Sequence, residues 1–127
     1  MTRFVSLLFV LAITGCAKDD KPPAHTSSGP VSKDPATAKK LIEGGALVVD
    51  VRTPSEFEAD HLERATNVPI QDFAQRIAEV EKLVGGDKAK PVVLYCGSGN
   101  RASKAKAQLE AAGYTNVVNG GGIDDLR

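Results

Sequence analysis

The sequence predicts an α/β domain: a largely parallel sheet covered by helices on both faces. Two runs rich in valine, Ala-Leu-Val-Val-Asp-Val at 46–51 and Pro-Val-Val-Leu-Tyr-Cys at 91–96, read as buried central strands. Between and around them lie segments with helical caps or helical spacing, and that alternation is what strand–helix–strand units produce. Open sheets of this kind bind ligands at the carboxyl ends of their strands, which is where Cys96 falls.

Each element has a local cause. Asp34-Pro35 places an N-cap carboxylate before a proline at the first helical position, and Gly44-Gly45 stops the helix expected over 36–43. After the first strand, Thr53-Pro54-Ser55-Glu56 is a capping box with proline at the first position, opening a turn or two of helix through Ala59. Asn67-Val68-Pro69 reads as a short extended piece. Phe73, Ile77, Val80 and Val84 recur at helical spacing and end in Gly85-Gly86. A helix over 102–112 ends at Gly113, and 115–118 forms a further short strand. Only 5% of residues are aromatic and Trp is absent, so the core is built from Val, Leu, Ile and Ala.

The amino-terminal segment reads as an address. Arg3 precedes an apolar run over 4–13 that is shorter than the roughly 20 residues a spanning helix needs. It suits the apolar part of a signal peptide at 1–15. The run ends in Ile13-Thr14-Gly15-Cys16, which resembles a lipobox; that resemblance implies acylation of Cys16 and a lipid anchor in a bacterial cell envelope, facing the periplasm. Ala17, in place of the aspartate that retains such lipoproteins at the inner membrane, points to the outer membrane. Residues 16–33 carry prolines, serines and charges with almost no large apolar side chain, and read as a tether containing His25. One folded domain is expected over 34–127.

Several functions are excluded. Sixteen basic residues balance sixteen acidic ones, so no net field draws the chain to nucleic acid. Two cysteines, Cys16 and Cys96, cannot build a disulfide framework or a Cys-rich zinc site, and His25 and His61 lack metal-ligand spacing. A dithiol redox role is disfavoured, because acylation of Cys16 would leave Cys96 without a resolving thiol in its own chain. Cys96 would then be open to over-oxidation in the periplasm, so a reducing or persulfide-loading protein partner is expected.

The remaining chemistry concentrates at Cys96-Gly97-Ser98-Gly99-Asn100-Arg101, between a strand and a helix. Two glycines allow successive N–H groups to point inward as an anion-binding nest. The following helix contributes its positive end, and Arg101 adds a permanent charge. All three favour an anion, and a thiolate is the form of cysteine that attacks.

These residues resemble the active-site loop of the rhodanese-like domain family, with four residues between Cys96 and Arg101. Asp50-Val51-Arg52 through Phe57 is similar to the family's upstream signature. His61-Leu62, Ala65-Thr66-Asn67-Val68-Pro69, Ala112 to Val118 and Gly121-Gly122-Ile123 follow in the family's order. The resemblance implies transfer of a sulfane sulfur from thiosulfate or a similar donor to a thiol or cyanide, through a persulfide on Cys96. It implies a cradle of backbone N–H groups from Gly97, Ser98, Gly99, Asn100 and Arg101, and no metal or organic cofactor. Asp50 and Arg52 are expected either to orient the loop or to form an ion-paired scaffold. Glu56 is read as a capping residue and His61 as a structural hydrogen-bonding one. Ser98 and Asn100 have side chains able to meet a polar donor or simply to form the turn.

Two departures from the family pattern stand out. Asp60-His61-Leu62-Glu63-Arg64-Ala65 lacks the usual glycine and proline, and Leu126 stands near the expected tryptophan, predicting a domain edge that is less covered or is stabilised by a partner. Phosphate or arsenate chemistry is the first rival, but the related phosphatase loop is one residue longer. The second is a non-catalytic persulfide carrier or sensor.

Overall fold

A computed structural model describes residues 32–127; the signal-like run, Cys16 and the segment through residue 31, His25 included, lie outside the described residues. Helix α1 (Pro35–Glu43) starts where Asp34 accepts the Thr37 N–H at 3.0 Å. Strand β1 (Leu47–Asp50) leads to α2 (Pro54–Ala59), whose capping box closes in both directions between Thr53 and Glu56. Strand β2 (Ala65–Asn67), a 3₁₀ turn at Ile70–Asp72 and α3 (Phe73–Leu83) follow. Then come β3 (Val92–Cys96), α4 (Asn100–Ala111), β4 (Val117–Gly122) and a closing 3₁₀ turn at Ile123–Leu126.

The four strands form one parallel sheet in the order β2-β1-β3-β4. Strand periodicity sends alternate residues to opposite faces and makes two cores. On one face Val49, Val92, Leu94 and Cys96 pack with Phe73, Val80, Ala102 and Leu109 of α3 and α4. On the other, Val48, Val93 and Tyr95 pack with Ala38 of α1 and with Ile123 and Leu126. This is the three-layer α/β arrangement the sequence predicts. β1 and β3 lie at the sheet's centre, buried from both sides, which is why they read as unbroken apolar runs.

Three elements differ from expectation. The extended piece read at 67–69 is a strand two residues earlier, Ala65–Asn67; beyond it the Val68 N–H bonds the Asp50 carbonyl (2.9 Å) and the Ile70 N–H the Val51 carbonyl (3.1 Å), with Pro69, which has no N–H, between them. Helix α4 begins at Asn100, not at 102, so it rises directly out of the cysteine loop. Most consequentially, β4 does not stop at Val118 but runs through the glycines to Gly122. Leu94 faces Asn119 while Cys96 faces Gly122, so β4 holds one extra residue there, a bulge with Gly121 at φ 89°. The edge expected to be less covered is filled by Leu126, which is buried against α1; a Cβ on Gly120 would lie 2.9 Å from its Cδ1.

Candidate active site

Cys96 ends the central strand β3 and is fully buried. Its Sγ accepts a hydrogen bond from the Gly99 N–H at 2.9 Å. That geometry requires Gly99 to adopt φ 98°, a left-handed conformation that side-chain-bearing residues rarely take. The Gly99 carbonyl then accepts the Ser103 N–H at 2.9 Å and so begins the hydrogen-bond ladder of α4. The sulfur thus lies at the positive end of a helix of 12 residues. Gly97, Ser98 and Asn100 are exposed around it.

Arg101 does not stand free beside the sulfur. Its Nη1 and Nη2 donate to Glu56 Oε2 and Oε1 at 2.7 and 3.1 Å. A Cβ on Gly97 would meet Arg101 Nη2 at 3.3 Å, so the guanidinium passes directly along the loop. Glu56 therefore does more than cap α2: the Oε2 that accepts the Thr53 N–H at 2.8 Å also accepts from Arg101. The Arg101 guanidinium, followed by the Thr53 N–H, holds the Glu56 carboxyl down to about 2.

Asp50 and Arg52 form a buried ion pair: Arg52 Nε and Nη2 donate to the Asp50 carboxylate at 3.1 and 2.9 Å, and the Arg52 N–H adds a third bond at 2.8 Å. Arg52 also donates to the Asp60 carbonyl and lies 5.7 Å from the centre of the Tyr95 ring. Tyr95, next to Cys96, accepts the Leu62 N–H at 3.1 Å. These contacts brace the stretch after β1, in the manner of an ion-paired scaffold, and their partners lie outside residues 97–101. His61 is exposed, stacks on Phe57 at 4.0 Å and bonds the Phe57 carbonyl oxygen through Nδ1 at 2.8 Å.

Sequence reasoning missed the residues that support the loop from β4. Asn119, only 2% exposed, donates from Nδ2 to the Gly99 carbonyl at 3.0 Å and accepts the Gly121 N–H at 2.9 Å. A Cβ on Gly99 would lie 3.2 Å from Gly121 Cα, and one on Gly122 would collide with the Gly97 carbonyl. The signal that was available is the run Gly120-Gly121-Gly122 directly after an apolar strand, since glycine inside a strand marks close backbone approach.

A cleft of about 510 Å³ lies elsewhere, at the amino ends of β1 and β3, lined by residues including Leu47, Arg64, Leu83 and Pro91. A wider groove of about 840 Å³ runs beside α4, lined by residues including Ser103, Lys106 and Glu110. Reactive groups decide against both, because neither holds a thiol, whereas the cysteine loop combines one with an oriented N–H donor.

The rhodanese-like domain, as a family model, matches residues 34–125. The thiosulfate sulfurtransferase PspE of Escherichia coli K12 is 36% identical over 78 residues, which cover 61% of this chain and 71% of that protein. A tRNA uridine(34) hydroxylase of Hamiltonella defensa is 36% identical over 107 residues, 83% of this chain but only 30% of that longer protein. Among solved structures, a rhodanese with anions from E. coli aligns with a TM-score of 0.57 at 34% identity, over 64% of this chain and 91% of that one. With the fold, the cysteine loop and the matched span in agreement, the chain belongs to the rhodanese-like domain family.

Proposed function

We propose that this protein is a sulfurtransferase that moves a sulfane sulfur from thiosulfate, or a similar donor, to a thiophilic acceptor through a persulfide on Cys96. The observation that carries the reading is the Gly99 N–H held on Cys96 Sγ at 2.9 Å, at the head of α4. A donor fixed there favours negative charge on sulfur, and a thiolate is the attacking species. The thiolate attacks the outer sulfur of thiosulfate; the new S–S bond forms as the old one breaks, and sulfite leaves with the electron pair. Cyanide or a thiolate then attacks the outer sulfur of the persulfide, and the Cys96 thiolate departs. Neither step calls for a general base once the thiolate is present, consistent with His61 being turned onto Phe57. The backbone N–H groups of Gly97 to Arg101 would hold the outer sulfur and the donor's charge. The presence of anions in the related E. coli rhodanese structure supports an anionic donor.

Burial of Cys96 favours a second reading, a persulfide carrier or sensor that exchanges sulfur with protein partners able to open the loop. Thiosulfate:cyanide turnover by the pre-reduced protein, lost in Cys96→Ser, is the expected result. Its absence from a folded, reduced protein would move the carrier reading to first place. Within the same proposal, Cys16 is acylated and tethers the domain to the outer membrane on its periplasmic side, a reading supported by Ile13-Thr14-Gly15-Cys16 after an apolar run. Cys16→Ala should then shift the protein from the membrane fraction to the soluble fraction, and an unchanged distribution would reject the anchor.

A further inference from the structure

We propose that Asn119 is a positioning residue for the sulfur chemistry at Cys96: it fixes the Gly99 peptide so that its N–H stays on the sulfur. By itself that peptide is free to turn. Gly99 has no side chain, so nothing intrinsic holds its left-handed conformation at φ 98° against a peptide flip that would turn the N–H away. Its carbonyl is gripped from two elements: the Ser103 N–H from α4 at 2.9 Å and Asn119 Nδ2 from β4 at 3.0 Å. The helix bond moves with the loop. The Asn119 bond does not, because Asn119 sits in the sheet opposite Leu94 and is 2% exposed.

Both ends of the amide are used. Oδ1 accepts the Gly121 N–H at 2.9 Å, which fixes which end faces Gly99 and ties the side chain to the bulge opposite Cys96. An apolar side chain would serve a strand core as well or better, so a buried amide with one end on this loop and the other on the β4 bulge points to orientation of the loop.

The effect falls on both halves of the reaction. Sγ carries negative charge as the attacking thiolate in loading, and again as the leaving thiolate in unloading. In both it is the atom that Gly99 touches. Loss of Asn119 should therefore slow loading and unloading together. The kinetic part of this inference rests on the proposed sulfur transfer, whereas the positioning of Gly99 on Sγ does not.

The test compares wild type with Asn119→Leu, which removes both bonds, and with Asn119→Asp. The latter keeps an acceptor for the Gly121 N–H but turns an oxygen toward the Gly99 carbonyl. Val80→Ala, in α3, serves as a control for simple destabilisation. Initial rates give kcat/KM separately for thiosulfate and for cyanide, and iodoacetamide alkylation of Cys96 at neutral pH gives a readout independent of sulfur transfer. Both Asn119 variants should lose about tenfold in kcat/KM for thiosulfate and in alkylation rate. The kcat/KM for cyanide should fall by a similar factor, and the midpoint of alkylation followed from about pH 5 to 9 should move upward. Val80→Ala, a merely less folded protein, should keep all three per folded molecule. Rates in the Asn119 variants that match Val80→Ala, or an unmoved pH profile of alkylation, would overturn the inference. Should Asn119→Leu fail to fold, Asn119→Asp carries the comparison. Should the wild type transfer no sulfur, the functional proposal fails and alkylation alone decides the role of Asn119.

Discussion

Gly122→Ala is the sharpest mechanical probe of how the cysteine loop is held. Gly122 has φ −89°, an ordinary value, so alanine brings no backbone strain there. The added Cβ would instead collide with the Gly97 carbonyl oxygen and lie 3.1 Å from its carbon. Both neighbours are backbone, so no flexible side chain can yield. Restoring van der Waals separation requires β4 and the loop to part by roughly 1 Å. Overpacking of this kind costs about 1–3 kcal/mol of stability. A displacement of about 1 Å at the reacting group is worth on the order of a hundredfold in rate, so activity should suffer far more than folding. The companion Gly45→Ala separates the two effects. Gly45 has φ +90° with no atom within 4 Å of an added Cβ, so alanine adds backbone strain without a collision, far from Cys96. That substitution should cost about 1 kcal/mol and leave turnover unchanged. Urea unfolding gives the stability term and thiosulfate:cyanide turnover the rate term. Wild-type turnover in Gly122→Ala would refute the claim that contact between β4 and the loop sets the position of the sulfur.

Two further substitutions test the charged supports. Glu56→Gln keeps the capping box but loses the ion pair with Arg101. The Glu56 carboxyl is depressed to about 2 from an ordinary 4.5, so its stabilisation is present above pH 4.5 and is lost as pH falls toward 2. At a side chain 40% exposed, solvent screening leaves about 1 kcal/mol of this at neutral pH. Urea midpoints of wild type and Glu56→Gln should therefore differ near pH 7 and converge as pH falls through that window; a constant difference would assign the effect to something other than the carboxylate. Arg52→Met leaves the fully buried Asp50 carboxylate without its cation, and should cost about 3–5 kcal/mol in urea unfolding. A loss under about 1 kcal/mol would show that the pair is dispensable to the scaffold.

How far the sequence could be read depended on the range of each cause. Elements set by neighbours in the chain were legible: Asp34 and Thr53 cap where their spacing to Thr37 and Glu56 requires, and the valines of β1 and β3 reported burial from both sides. The position of Cys96 at a strand's end was legible for the same reason. Contacts between distant segments were not. Glu56 and Arg101 are 45 residues apart, and nothing in either segment announces that the capping carboxylate also neutralises the loop's arginine. Asn119 and Gly99 are 20 apart, and Asn-Gly-Gly-Gly has the composition of a turn. Strand pairing overrode that propensity: β3 continues to Cys96, and only a strand without Cβ atoms can lie beside the Gly97 carbonyl.

The same constraint explains why the support of the cysteine loop comes from both sides of it. A loop made of glycine and small polar residues bends tightly enough to aim an N–H at sulfur, but the flexibility that permits the bend also permits its reversal. Rigidity must then be imported from elements that cannot move with the loop. α2 supplies it at one end, where Glu56 grips Arg101 by two bonds. β4 supplies it at the other, where Asn119 holds Gly99 and Gly122 abuts Gly97. Neither anchor needs to touch a substrate, yet removing either frees one end of the segment that carries the charge. The sulfur is therefore oriented by a sheet strand and a helix cap, while the residues nearest to it stay small.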